Sequence, residues 1–427
     1  MPRKVLLITF LAAIAMIVSP VWAQSTPAQS LSLQECIDIA LKNQTDVLIA
    51  RNSVDAAKAR VAREKGAYFP QVTAQYSNAI VQSRVTQFGQ AGDGTSVGVN
   101  QNFYDGGLRE ARIRGAGANA SQSAYSLERT RQTVAFTVTS DYFSVLRSQK
   151  LAGVSDAQVK YLEGQLELIR ARVNLGDAAP VDTLPIEAQL ANARVDQLAA
   201  NNTVRTSAIQ LQNTMGLSAT PNFSVQDVTE PTDIKLLTVD DYLETALTAR
   251  PEVKETEFGV KVAKASTQQA KIVLYPRPVV NGQYNEFISG NSENTYEITA
   301  GLAFDLFNGG SNRAAYKEAQ ANLSSAELRA AQISKDIYAD VQNAYFNLTN
   351  SKERLTASEL SLAAARKNLE AQGARYKSGL AIPLDLLNAQ TQVVTAESNA
   401  VQSRYDYYTS VAQLEYAIGK QEGLNGK

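Results

Sequence analysis

The stretch that decides the fold occurs twice, first as Arg172-Val173-Asn174-Leu175-Gly176-Asp177-Ala178-Ala179-Pro180-Val181-Asp182 and again as Arg375-Tyr376-Lys377-Ser378-Gly379-Leu380-Ala381-Ile382-Pro383-Leu384-Asp385. In both copies Arg is followed by Gly at +4, by Pro at +8 and by Asp at +10. Gly just past a helix end supplies the left-handed residue that closes it, and Pro fits the first turn of the next helix. Because segments with helical periodicity flank each copy, both stretches predict the turn of a helical hairpin.

The duplication extends far beyond these turns. Residues 237–271 align without a gap on 31–65, and residues 301–419 align on 98–216. We therefore expect two structural repeats, residues 24–236 and 237–427. In each repeat the pattern predicts a helix (31–65 in the first), a β-hairpin, a helix of about 70 residues, and a returning helix about half as long. In the first repeat a loop is expected over 84–95, and a connector over 217–236 contains one candidate strand, 223–228.

The hairpin strands alternate in polarity, most clearly in the second repeat. Its apolar face holds Tyr296, Ile298, Ala300, Leu302, Phe304 and Leu306, and the other face holds Glu297, Thr299, Gly301, Ala303 and Asp305. This alternation is typical of a transmembrane barrel around a watery lumen, and the alternative is a soluble sheet with one wet face. Four strands cannot close a barrel, since bacterial barrels begin at about eight strands. A membrane barrel would therefore need several copies, and the pattern favours three or more.

The composition excludes several classes of site. The 427 residues carry a net charge of −1, contain no histidine, and contain one cysteine, Cys36. Nucleic-acid binding is therefore not indicated, and Ser-His-Asp, Cys-His and zinc sites lack the residues that they need. We predict no enzyme activity, no cofactor and no metal site. Cys36 is expected to be a small buried residue on the first helix.

The first 23 residues predict a secretory signal peptide. Arg3 and Lys4 precede an apolar run over 5–18, which is too short to span a bilayer as a helix. The alternative is an uncleaved membrane anchor. Beyond residue 23 no apolar run is long enough for a transmembrane helix, so any membrane crossing in that part would have to use strands.

The doubled turns, the junctions Tyr104-Asp105-Gly106-Gly107 and Phe307-Asn308-Gly309-Gly310, and the Leu-Ser-Leu start at Leu31 together carry a resemblance. The chain resembles the TolC-like outer membrane efflux proteins over essentially all of its mature length. The resemblance implies a mainly α fold with a transmembrane β part, assembled as a homotrimer. Its twelve-stranded barrel would lie in outer membrane lipid, and its long α-barrel would lie in the periplasm.

The resemblance also implies a function. The chain would be the exit duct for an inner-membrane transporter, joined to it through a periplasmic adaptor protein, in a tripartite efflux pump or a type I secretion system. The sequence does not distinguish these two systems or name the cargo. The alternative is a secreted or surface-attached coiled-coil scaffold or adhesin without a channel.

The resemblance assigns roles at the far periplasmic tip. Asp385 matches a gate aspartate, Asp182 is its counterpart in the first repeat, and Tyr376 matches a tyrosine that holds the closed tip, with Asp182 and Tyr376 expected to lie close together. Asn388 stands where a second gate aspartate can occur, and Ala381 replaces a latching arginine. The tip turns themselves are expected to contain Arg172, Gly176, Pro180, Arg375, Gly379 and Pro383. An alternative role for both aspartates is to cap the helix that follows the turn, and the two roles can coexist.

Overall fold

The computed structural model describes residues 29–81, 90–218, 223–227, 237–289 and 293–420. The signal peptide expected over residues 1–23 lies outside these ranges. The first repeat contains β1 (Gln29–Leu31), α1 (Leu33–Asn43), α2 (Thr45–Gly66), β2 (Gln71–Val81), β3 (Gln90–Tyr104), α3 (Leu108–Leu175), a 3-10 turn (Pro180–Thr183), α4 (Leu184–Thr214) and β4 (Phe223–Val225). The second contains α5 (Val239–Ala249), α6 (Pro251–Val273), β5 (Arg277–Ser289), β6 (Thr295–Ala303), α7 (Ser311–Lys377) and α8 (Pro383–Ala417).

The two long helices have the predicted extent. α3 has 68 residues and α7 has 67, so each is about 100 Å long at 1.5 Å per residue. α2 and α4 both pack against α3, and α6 and α8 both pack against α7. Each repeat is thus a long helix with three shorter helices beside it, α1, α2 and α4 in the first repeat and α5, α6 and α8 in the second. The helical turn lies at one end and the β-hairpin at the other. α3 also packs against α6 and α8, and this contact joins the two repeats.

All four hairpin strands form one antiparallel sheet in the order β2-β3-β5-β6. Its register places apolar residues side by side across the sheet, in a row formed by Val72, Val99, Tyr284 and Tyr296. The adjacent row is polar or small, formed by Thr73, Gly98, Asn285 and Thr295. The predicted alternation is therefore confirmed in these two rows. The loop expected over 84–95 is wrong for its last residues, because β3 already begins at Gln90.

The junction between strand and helix depends on two successive left-handed glycines. Gly106 and Gly107 have φ values of 76° and 88°, and the equivalent glycines of the second repeat are also left-handed. The Asp105 carboxylate accepts a hydrogen bond from the N–H of Arg109 at 2.9 Å. The Arg109 guanidinium is buried and lies 4.0 Å from the centre of the Tyr68 ring. The sheet is therefore fixed to the start of α3 by both backbone and side-chain contacts.

The single helix expected over residues 31–65 is wrong. The chain breaks it at Gln44, an extended residue (φ −66°, ψ 129°) whose side chain accepts a hydrogen bond from the N–H of Asp46 and caps α2. The end of α4 packs closely against this break. Gly216 has a φ of 71°, and a Cβ on it would lie 2.8 Å from the carbonyl oxygen of Asn43. The second repeat breaks at the equivalent residue, Arg250, directly before α6.

A short parallel pair, β1 with β4, covers the middle of α3. The Tyr142 hydroxyl donates hydrogen bonds to the carbonyl oxygens of Leu31 at 3.0 Å and Gln226 at 2.7 Å. β4 lies within the candidate strand 223–228, but β1 was not expected, because three residues are too few to show alternation. Cys36 is fully buried beside this pair, as predicted, and burial together with the nearby Glu35 charge raises the pKa of its thiol to about 12.

Two apolar clusters hold the helices together. The larger contains residues of both repeats, including Val138, Phe143, Val341 and Tyr408. The smaller lies towards the tip and joins α3 to α4 and α8, through Val159, Leu162, Leu166, Ile169, Ile186, Leu190, Ala193 and Leu387. Among the helices that the structure describes, none combines the length and the hydrophobicity needed to cross a membrane.

Candidate functional site: the helical tip

Both tip turns close their long helix in the same way. Gly176 has a φ of 81° and Gly379 has a φ of 71°. The N–H of the next residue donates to the carbonyl five residues earlier, Asp177 to Arg172 at 2.9 Å and Leu380 to Arg375 at 2.8 Å. This is the hydrogen-bond pattern of a Schellman motif. Nothing lies within 4 Å of a Cβ built on either glycine, so it is the backbone conformation alone that favours glycine here.

The two tip aspartates cap the helical segments that follow these turns. Pro180 begins the 3-10 turn and Pro383 begins α8, as Pro in a first helical turn is expected to do. The Asp182 carboxylate accepts a hydrogen bond from the N–H of Ala179 at 3.1 Å. The Asp385 carboxylate accepts one from the N–H of Ile382 at 3.3 Å. Asp385 is exposed and Asp182 is half-buried. A carboxylate that uses one oxygen in this way keeps its other oxygen available to a cation or a partner group.

The contact that joins the two turns is between Arg172 and Tyr376. Nη1 of Arg172 donates to the Tyr376 hydroxyl oxygen at 3.0 Å, and the guanidinium carbon lies 5.0 Å from the ring centre. The partner of Tyr376 expected from the sequence is Asp182. Among the described residues the hydrogen-bond partner of Tyr376 is Arg172, while the carboxylate of Asp182 is held in its own turn.

From the sequence, Arg172 is expected only as the first residue of a turn motif. Its second copy, Arg375, stays in its own turn, where Nη2 donates to the carbonyl oxygen of Leu380 at 3.5 Å. The repeats differ here because the position equivalent to Tyr376 is Val173, which has no hydroxyl. This difference in sequence indicates that only one of the two arginines has a phenol partner.

The remaining predicted residue, Asn388, lies exposed on α8, one turn after Asp385. Residues three apart on a helix are neighbours on one face, so these two side chains point in similar directions. The tip is also held by an ion pair between Arg170 and Glu187 at 2.8 Å, which is exposed and therefore contributes little to stability. The chemistry of the tip is that of a surface with exposed carboxylates and two glycine turns, suited to binding cations or a partner protein.

Comparison with known proteins agrees with this architecture. The family model described as outer membrane efflux protein matches residues 36–217 and 242–420. The outer membrane protein TolC of Vibrio cholerae is 26% identical over 437 residues, covering 98% of this chain and 95% of that protein. The alkaline protease secretion protein AprF of Pseudomonas aeruginosa is 23% identical over 417 residues, covering 92% of this chain and 85% of that protein.

Solved structures show the same fold. The outer membrane channel CmeC of Campylobacter jejuni superposes with a TM-score of 0.78, covering 99% of this chain and 96% of that one. Its sequence is 14% identical, so the likeness concerns the fold alone.

The Arg172–Tyr376 link gives a testable expectation. Tyr376→Phe removes the hydrogen-bond acceptor but keeps the ring, and the loss of one such bond corresponds to about 1 kcal/mol. Backbone amides of residues 172–183 and 375–386 should then exchange hydrogen roughly fivefold faster. Tyr338→Phe is the matched control, because Tyr338 is an exposed tyrosine of α7 that accepts from Gln342 far from the tip. Equal exchange at the tip in both variants would show that the link does not hold the turns together.

Proposed function

The chain belongs to the outer membrane efflux protein family, and we propose that it forms an exit duct that carries cargo from an inner-membrane transporter to the outside. A periplasmic adaptor protein would join the two. The chain itself lies in the outer membrane, with its long helices in the periplasm. The observation that carries the proposal is a combination of two features. The chain has one sheet with an apolar face, to which each repeat contributes a hairpin, and each repeat has a helical hairpin about 100 Å long.

The sheet supports a position in lipid. Tyr296, Ile298 and Leu302 project from one face of β6 and are 87%, 77% and 73% exposed. Large apolar side chains in such a row would be costly to leave in water, and hydrocarbon is the environment that suits them. The opposite face carries polar side chains such as Glu297 and Thr299, which suit a water-filled lumen.

The edges of the sheet support an assembly of several copies. Within the described sheet β2 and β6 each pair on one side only, which leaves a row of backbone groups without a partner in the sheet. In hydrocarbon such groups must be satisfied, and pairing β6 of one copy with β2 of the next would satisfy them. Three copies would give twelve strands, enough to leave a channel.

The tip supports a gate and a docking surface. Three copies would bring three Asp385 carboxylates around one axis, and a ring of carboxylates attracts cations. Asp182 and Tyr376 would lie in the neighbouring turns, and the Arg172–Tyr376 contact would hold the closed state. Because Ala381 supplies no charged latch, we propose that this contact carries more of the closed state than Asn388 or Ala381 does.

Two kinds of transport system are represented among similar proteins. The matching family is that of the outer membrane efflux proteins, and the similar AprF is an alkaline protease secretion protein. An exit duct serves either system, since the transporter selects the cargo and supplies the energy. A coiled-coil scaffold without a channel would not need the apolar row across the sheet.

The membrane position predicts different effects on the two faces of β6. Ile298→Arg should reduce the amount of protein that reaches the outer membrane, because an arginine facing lipid costs about 2–4 kcal/mol at the bilayer midplane. Thr299→Arg, the adjacent residue on the other face, should assemble like the parent. The measurement is the yield of folded assembly in the outer-membrane fraction. Equal yields from both variants would contradict the assignment of faces.

The gate predicts changes in conductance. Asp385→Asn should lower cation selectivity and block by trivalent cations in a planar bilayer, because three negative charges leave the aperture. Tyr376→Phe should raise the resting conductance by loosening the closed tip. Asp177→Asn is the control, since it removes an exposed tip charge from the other turn and should change block far less. If Asp385→Asn is blocked like the parent, the carboxylate only caps its helix and the gate lies elsewhere.

A further inference from the structure

A polar cleft lies at the opposite end of the helices from the tip, where α2, α3 and α6 meet. Its volume is about 430 Å³, within the range of about 300–1,000 Å³ that small-molecule sites occupy. The polar and charged side chains that decide its chemistry are Arg60, Arg63 and Glu64 of α2, Arg112 and Asn119 of α3, and Ser266 of α6. Arg112 is four residues after the start of α3, about 6 Å along the helix, so the cleft lies close to the sheet.

The cleft contains more positive charge than it neutralises. Three arginines and one glutamate line it, which leaves a net charge of +2. Arg63 is paired, because its Nη2 donates to Oε1 of Glu64 at 2.9 Å. Within the described part of the chain, Arg60 and Arg112 form no ion pair or side-chain hydrogen bond, and the amide of Asn119 also has no partner. Two guanidinium groups and one amide therefore remain available as donors to a ligand.

The second repeat shows that the fold does not need these arginines. The residues equivalent to Arg60 and Arg63 are Ser266 and Gln269, and the residue equivalent to Arg112 is Ala315. The helices form in both repeats, so the same backbone accepts neutral side chains at all three positions. The positive charge is thus a property of this one cleft and is not required by helix packing.

We propose that the cleft binds an oxyanion of the phosphate class, carried by a solute that passes through the duct. Arg60 and Arg112 supply the charged donors, and the Asn119 amide supplies a neutral one. A guanidinium is a planar fork of N–H groups that matches the oxygens of a phosphate, and such charge-assisted hydrogen bonds are stronger than neutral ones. The volume of the cleft leaves room for an organic group attached to the phosphate.

The position of the cleft favours a solute over a membrane lipid. α2 packs against α3, α3 against α6, and α6 against α7, so these helices form one layer. A cleft that three neighbouring helices line lies on the concave side of such a layer, and closing the layer into a barrel would turn that side towards the lumen. This step rests on the exit duct proposed above, whereas the oxyanion site itself rests on the contacts of a single chain.

Binding of inorganic pyrophosphate to the purified full-length protein, measured by calorimetry, tests the site. Arg112→Ala and Arg60→Ala should each weaken binding about tenfold, because each removes hydrogen bonds to a charged group. Arg112→Lys should keep part of the affinity, since it keeps the charge and loses the fork. Neither arginine has a partner in the described part of the chain, so these changes remove no contact that holds the fold.

Arg114→Ala is the matched control for charge. Arg114 lies two residues from Arg112 on α3, but its Nη2 donates to Oε1 of Gln268 at 3.0 Å and it does not line the cleft. Arg114→Ala should bind pyrophosphate like the parent. If Arg112→Ala weakens binding no more than Arg114→Ala does, pyrophosphate responds to the overall charge and the cleft is not its site.

Conductance in a planar bilayer tests the position of the site in the lumen. Pyrophosphate should lower the conductance of the parent, and Arg112→Ala should need about tenfold more pyrophosphate for the same block. Pyrophosphate that binds in calorimetry and leaves the conductance unchanged would overturn the position in the lumen. A parent that never conducts would count against the exit duct, while calorimetry still tests the oxyanion site by itself.

Retention of phosphatidylglycerol distinguishes a solute from a lipid headgroup. The parent and Arg112→Ala are extracted from vesicles of phosphatidylcholine and phosphatidylglycerol, and the bound lipids are counted by native mass spectrometry. Both proteins should retain the same number of phosphatidylglycerol molecules. Fewer on Arg112→Ala would show that a lipid phosphate occupies the cleft and would overturn the assignment to a solute.

Discussion

The structure depends on the backbone groups at the two edges of the sheet. A polar backbone group without a partner costs several kcal/mol in hydrocarbon, and a four-stranded sheet has two such edges. An outer membrane protein with this sheet must therefore pair its edges with something. The helices make the same demand, because α7 and α4 expose large apolar side chains whose equivalents on α3 and α8 are buried. Both demands would be met by the proposed assembly, in which copies of the chain close on each other.

The duplication explains why one chain contains the information for that arrangement. Several contacts occur twice at equivalent positions, such as the hydroxyl pairs Ser148–Ser207 at 2.8 Å and Ser351–Ser410 at 2.6 Å. These contacts lie inside a repeat, so both copies of them form within one chain. Contacts between repeats form once within the chain, and the second set of equivalent surfaces stays exposed in the single chain. A closed ring of repeats uses every surface.

The repeats also differ where local structure allows it. At the break before α6 the buried Arg250 donates to Glu252 at 2.9 Å and to Asp340 at 2.9 Å. The pKa of the Glu252 carboxyl lies below its usual value. Burial alone would raise this pKa, but the hydrogen bonds of Glu252 and the charge of Arg250 together outweigh burial. The stability from the charged carboxylate is therefore present above the unfolded pKa and is lost as the pH falls through the folded pKa. In the first repeat Gln44 takes the place of Arg250, and no charge is buried there.

Much of the fold could be predicted because it depends on local chemistry. The left-handed glycines, the prolines after them and the alternating strands each act within a few residues, and the predictions for Gly176, Gly379 and the sheet were confirmed. The sequence does not predict the break at Gln44, because it has neither proline nor glycine in the first repeat and its close contact with Gly216 comes from distant sequence. The pairing of Tyr376 with Arg172 also could not be predicted, because it depends on how two helices about 100 Å long are aligned at their ends.

In the proposed assembly one chain forms an incomplete part of a closed barrel and needs further copies to complete it. The most direct measurement is the mass of the complex extracted from outer membranes in mild detergent, determined by native mass spectrometry. The account predicts three copies of the processed chain and no other protein as the smallest stable species. A stable single chain, or a complex of two copies, would contradict it.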